Sequence, residues 1–190
     1  MTMKHHLIFT ALTSVLVLGS LAGCTTYDQA KTYFFSSKAT ICPDTVILAN
    51  AAVLPAFDPA KGDDPSSIVY TAGLSRVKTS CDYRKIDNNS DSRLSIAFHA
   101  PRPSGGPEAI YRVPYFVAIS LGGKIVDKKN YWQDVAFPKG VAAVDIEGKI
   151  DSLFVQAAKR KRPADYHFVL GFQLTKAQID YNKKLGRYEL

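Results

Sequence analysis

From Cys42 onward, hydrophobic and polar residues alternate with a period of two, the signature of strands with one buried face. Ile68, Tyr70, Ala72 and Leu74 share one side of a segment, with Thr71, Gly73 and Ser75 on the other. Arg93 to Ala100 repeats the pattern, with Leu94, Ile96 and Phe98 inward and Arg93, Ser95 and His99 outward. Tyr111, Val113, Tyr115, Val117 and Ile119 line one face of a further strand, where Pro114 predicts an edge position or a bulge. Val46 to Leu54 reads as the first strand, and Pro55 to Pro65 as a long turn. Gly122-Gly123 fits a hairpin turn into Ile125 and Val126. More strands are expected near Tyr131 to Phe137 and around Val144, Ile146 and Ile150, the latter bent at Gly148. The clearest alternation is the last: Tyr166, Phe168, Leu170, Phe172 and Leu174 against His167, Val169, Gly171 and Gln173.

Thr175-Lys176-Ala177-Gln178 then fits a capping box and predicts a short helix to about Leu185, stopped by Gly186. Seven or so strands and one terminal helix predict an all-β domain. The expected architecture is an antiparallel β-sandwich, immunoglobulin-like in general shape, with a small closed barrel as the competitor.

The first residues follow another pattern. Lys4 precedes an apolar run from Leu7 to Leu18, diluted by Thr10, Thr13 and Ser14. That run is shorter than the ~20 residues a membrane-spanning helix needs, and suits the core of a secretory signal. It ends in Leu21-Ala22-Gly23-Cys24, which resembles the lipobox of bacterial lipoproteins. The resemblance implies cleavage before Cys24, and diacylglycerol and an N-acyl chain on that cysteine as the only covalent additions, with no other cofactor. Acyl chains contribute roughly 0.8 kcal/mol per buried CH₂, so two or three of them hold a protein on a bilayer. Residues 1–23 are then a signal peptide, 24–40 a lipidated tether and 41–190 the sandwich domain. Thr25 follows the cysteine where an acidic residue would retain a lipoprotein at the inner membrane. The expected address is the outer membrane, facing the periplasm.

Charge narrows the partners. The chain carries +7 at neutral pH, and loss of Lys4 with the signal leaves about +6. An envelope address argues against nucleic acid and leaves lipid headgroups and cell-wall polymers as the nearby anions. The densest basic run, Lys159-Arg160-Lys161-Arg162, is either a solvated loop between strands or a contact for anionic polymer or lipid. With Cys24 acylated, Cys42 and Cys81 form an even pair in an oxidising compartment, which predicts a disulfide over two free buried thiols.

Catalytic chemistry finds little support. His99 and His167 are the only histidines after the signal, and both fall on polar strand faces. Adjacent strands would have to bring them together, and even then a third metal ligand is missing. Asp87, Asn89 and Asp91 imitate the opening of a calcium loop, but Ser92 stands where the turn glycine belongs and Phe98 where the glutamate does. Asp63-Asp64 are turn formers. No nucleophile-elbow or phosphate-loop motif is present, so neither a catalytic nor a metal site is expected. Tyr111, Tyr131 and Trp132 offer an aromatic strip for sugar or peptide, against ordinary packing.

Gly171-Phe172-Gln173-Leu174-Thr175, followed by Gln178 and Tyr181-Asn182, resembles a group of uncharacterised Gram-negative lipoproteins. Cys42-Pro43, Cys81 and the Tyr115-to-Ala118 strand add to the likeness. The resemblance implies a periplasm-facing β domain and supports the disulfide, but brings no activity. The expected role is non-enzymatic: a lipid-anchored domain that holds an envelope protein partner or serves a structural role. The alternative is a module binding cell-wall glycan or anionic lipid.

Overall fold

The computed structural model describes residues 41–103 and 106–185. The signal peptide, Cys24, the tether and Gly186 lie outside the described residues. The described residues form eight strands: β1 (Asp44–Ile47), β2 (Val53–Phe57), β3 (Ile68–Arg84), β4 (Asn89–Pro101), β5 (Ala109–Leu121), β6 (Lys124–Phe137), β7 (Ala143–Gln156) and β8 (Tyr166–Phe172). One helix, α1 (Lys176–Lys184), follows them. Sheet A has the order β1-β8-β5-β6 and sheet B the order β2-β3-β4-β7. Among the described strands only the β1–β8 pair is parallel.

Alternation in each long strand puts one set of side chains between the sheets. Val113, Tyr115, Val117 and Phe168 of sheet A meet Leu94, Ile96, Phe98 and Ala100 of sheet B in one core. Phe98 bridges the layers, its ring centroid 5.5 Å from Tyr115 and 6.1 Å from Phe172. Tyr70 stacks on Tyr111 at 4.3 Å across the same gap. The domain is the expected all-β sandwich with a short C-terminal helix; the immunoglobulin comparison extends no further than two antiparallel-rich sheets packed face to face.

Several elements differ from the sequence reading. Val46 to Leu54 is not one strand. A 3-10 turn at Ala49–Ala51 splits it, and the chain passes from sheet A to sheet B. Pro55 belongs to β2 rather than to a turn. It is tolerated because β2 is an edge, and the Pro55 carbonyl faces away from β3 to accept from Gln178 Nε2.

Pro114 lies in β5, a central strand, and not at an edge. Its carbonyl accepts from the Gln173 N–H, so its nitrogen also faces β8, at the point where β8 pairing stops at Tyr115–Phe172. No ladder bond to β6 is lost. β7 runs through Gly148 without a bend there, and its register shift comes later, opposite Ser92 and Leu94. Glycine is required at 148 because a Cβ would sit 2.9 Å from the Phe98 ring.

The capping box forms as read. Gln178 N–H donates to Thr175 Oγ1, and Gln178 Oε1 accepts from the Thr175 N–H at 2.8 Å. Gln178 and Asn182 then donate to the carbonyls of Pro55 and Val53, each at 2.8 Å. The helix thereby covers the free edge of β2. Among the described residues no helix is long and apolar enough to cross a membrane.

Candidate functional site

Cys42 and Cys81 form the disulfide, with Cα atoms 5.8 Å apart. Cys42 precedes β1 of sheet A and Cys81 lies in β3 of sheet B, so the bond ties the two layers. Thr45 and Thr79 hydroxyls, 2.7 Å apart, add a second tie beside it.

His99 and His167 are not brought together. His99 is on the outer face of sheet B, where Nδ1 lies 2.8 Å from Asp145 Oδ1, while His167 is on the outer face of sheet A. The sandwich thickness separates them, which removes the shared-site arrangement weighed in the sequence. Asp87 lies in the β3–β4 hairpin turn and Asn89 and Asp91 in β4, and no group of three metal-ligating side chains occurs among the described residues. Asp64 caps a 3-10 turn by accepting from the Ser66 N–H and hydroxyl, and these bonds hold its carboxyl below the usual carboxylate range.

The aromatic strip also fails to assemble. Tyr111 packs on Tyr70, and Tyr131 stacks on Tyr115 at 5.4 Å, both toward the core. Trp132 points the other way, 57% exposed, with the Arg112 guanidinium 5.7 Å from its ring. Lys159 to Arg162 are all exposed in the loop joining β7 to β8. Asn88 Nδ2 donates to the Lys161 carbonyl, and Arg162 pairs with Asp165 at 3.5 Å.

A feature missed in the sequence lies on the outer face of sheet A. Side chains there form apolar rows: Val46, Val169 and Ala118 lead across the register to Lys128, and Gly171 and Phe116 lead to Asn130. The outer rows of sheet B are polar by contrast, such as Lys78–Ser95–Lys149, with Ser95 bonded to Glu147. Outer faces of sandwiches ordinarily alternate to polar, as the Asp44–His167 row of sheet A does, so the two rows through Val169 and Phe116 are the exception.

This face holds a groove of about 680 Å³, within the range of ligand sites. Phe116, Ala51, Leu174 and Ile179 line it, the core residue Phe172 borders it, and Lys128 and Lys183 are its charged groups. Gly171 shapes the floor, because a Cβ there would lie 2.8 Å from the Ala51 Cβ and 3.1 Å from the Phe116 ring. Lys128 Nζ sits 4.3 Å from the Phe116 ring centroid, where the ring's negative face attracts it. The lining holds amides from Asn50, Asn130 and Gln173, but among the described residues no carboxylate, thiol or imidazole. Chemically it suits an apolar group carrying negative charge. The sequence did carry a signal: Phe116, Ala118 and Val169 occupy the strand side opposite the core set.

Comparison with protein-family models, curated proteins and solved structures finds no match to this chain.

Proposed function

We propose that this chain is a bacterial envelope lipoprotein, held on the outer membrane by acyl chains on Cys24, whose sandwich acts as a non-enzymatic docking module for a protein partner. The observation that supports docking is the apolar outer face of sheet A with its lysine-flanked groove. A partner of matching chemistry places apolar side chains over Phe116 and Leu174, and an acidic group near Lys128 or Lys183. No cofactor is needed for such a role.

A photo-crosslinking residue at Asn130, in living cells, tests it. The expected result is one dominant protein adduct that is absent when the same probe replaces Ser95 on the outer face of sheet B. Equal, non-specific adducts at both positions would remove the docking reading. A second reading, contact with cell-wall glycan or anionic lipid, draws on the exposure of Lys159 to Arg162.

A further inference from the structure

We infer that one end of the sandwich is built to rest on an anionic lipid surface, formed by the β3–β4 hairpin, the β5–β6 hairpin and the β7–β8 loop. The inference deepens the second reading above. It uses the proposed anchor only to set its direction and is independent of the groove.

Strand register places these three connections together. Arg84 pairs with Asn89 at the β3–β4 tip, and Asn89 pairs with Gln156 at the end of β7. Tyr166, the first residue of β8, pairs with Leu121 at the β5–β6 tip. Asp44 pairs with His167, so the chain enters the domain at this same end, and the Cys42–Cys81 disulfide fixes that entry. Asn88 to Lys161 and Gln156 to Asp87, each at 2.8 Å, bind the first hairpin to the basic loop.

The chemistry of this end has two parts. Arg84, Lys85, Lys124 and the run Lys159 to Arg162 supply seven cations, of which, among the described residues, only Arg162 makes an ion pair within 4 Å. Asp165 is its partner; Asp87 and Asp127 are the other acids on the tips, and Asp44 stands at the point of entry. Between the cations stand aliphatic side chains with no packing partner to bury them: Ile86 is 99% exposed, Ile125 63% and Val126 55%. Aliphatic tips ringed by lysine and arginine match an interface of acyl chains under anionic headgroups.

The opposite end lacks this excess. Its connections carry Asp58, Asp63, Asp64 and Glu108 against Lys61, Lys139 and the buried Arg102, and α1, packed on β2, adds Lys176, Lys183 and Lys184 against Asp180. The denser cluster of unpaired cations therefore lies at the end where the chain enters the domain. A charge run that served only solubility would have no reason to coincide with exposed isoleucines and the point of entry.

The test is lysine-reactive footprinting, read by mass spectrometry, of the full acylated protein on vesicles. Phosphatidylcholine vesicles give the baseline, and vesicles containing phosphatidylglycerol the test. Modification of Lys85, Lys124, Lys159 and Lys161 should slow several-fold on the anionic vesicles and recover in high salt, while Lys61 and Lys139 stay unchanged. Each cation near the surface adds roughly fivefold to partition, so Lys159→Gln, Arg160→Gln and Lys161→Gln together should weaken docking about a hundredfold. Equal rates on both vesicles would overturn the inference. So would protection on isolated cell wall alone, which would assign the cluster to glycan. Failure of the anchor shows separately, as loss of flotation with phosphatidylcholine, and the comparison on anionic vesicles then still decides the docking.

Discussion

Removing the disulfide, by Cys42→Ala with Cys81→Ala, should cost the domain about 4 kcal/mol. The half-cystines are 39 residues apart, and closing a loop of that length in the unfolded chain accounts for that figure on the entropy model. The loop encloses β1, β2 and most of β3, so the constraint spans both sheets. In the folded state β1 keeps its four register pairs with β8 and the Thr45–Thr79 hydroxyl contact of 2.7 Å. The native structure should therefore survive and unfold earlier. For a domain of this size the thermal midpoint should fall by about 8–16 °C. Far-UV circular dichroism is the suitable assay, since Trp132 is too exposed to report unfolding by fluorescence. A fall under about 3 °C would mean that β1 opens independently before the sandwich melts, and would refute the view that the bond restrains the whole domain.

Three more outcomes follow from local geometry. Gly171→Val puts side-chain atoms where a Cβ already lies 2.8 Å from Ala51. It should cost about 1–3 kcal/mol in a denaturant titration and displace Phe116, abolishing the specific adduct at Asn130. Arg102 donates to the carbonyls of Val141, Pro107, Gly106 and Pro138, with Phe137 4.6 Å beneath its guanidinium and no carboxylate partner. Lysine cannot reproduce that fork, so Arg102→Lys should cost about 2–4 kcal/mol by the same titration. Burial pushes the Tyr70 and Tyr115 hydroxyls up to about 12, with Tyr111 and Tyr131 adding smaller contributions. The folded state thus holds these protons longer than the unfolded chain, whose tyrosines release them near 10. Stability from this source is complete below pH 10 and is lost between pH 10 and 12. A Tyr70→Phe, Tyr115→Phe double variant should flatten the decline of the melting temperature over that interval.

The alternation was enough to read the class, most strands and the capped helix, because one buried face per strand imposes period two whatever the topology. The elements that escaped were those decided by neighbours in space. Nothing local in Ala49-Asn50-Ala51 shows that the chain leaves one sheet for the other there. Pro114 looked like an edge residue because the rule on proline concerns a missing donor, and the sequence does not show that β8 ends where that donor would be needed. His99 and His167 both looked outward, correctly, but outward from which sheet is a matter of strand order. The groove was missed for a related reason. Phe116 and Val169 sit on the side opposite a very regular core set, and a single strand cannot show that such residues become neighbours on one face.

The apolar outer face of sheet A needs protection from promiscuous pairing, and its edge supplies it. β6 is long and open along one side, the kind of strand that templates aggregation. Lys124, Lys128 and Lys129 lie along it with Asp127 and Asp134, and charged side chains on an edge strand discourage pairing with a second copy. The lysines that flank the groove would admit an acidic partner and select by charge. With the basic end against a membrane, the strands stand away from the bilayer, and the groove, near the far end of β8, opens sideways above the headgroups. Docking at the tips and binding at the groove would then use different surfaces and leave each other free, so neutralising Lys159 to Lys161 should tilt or release the domain without emptying the groove. Loss of the Asn130 adduct on that neutralisation, at unchanged protein levels, would show instead that partner binding depends on the orientation the membrane imposes.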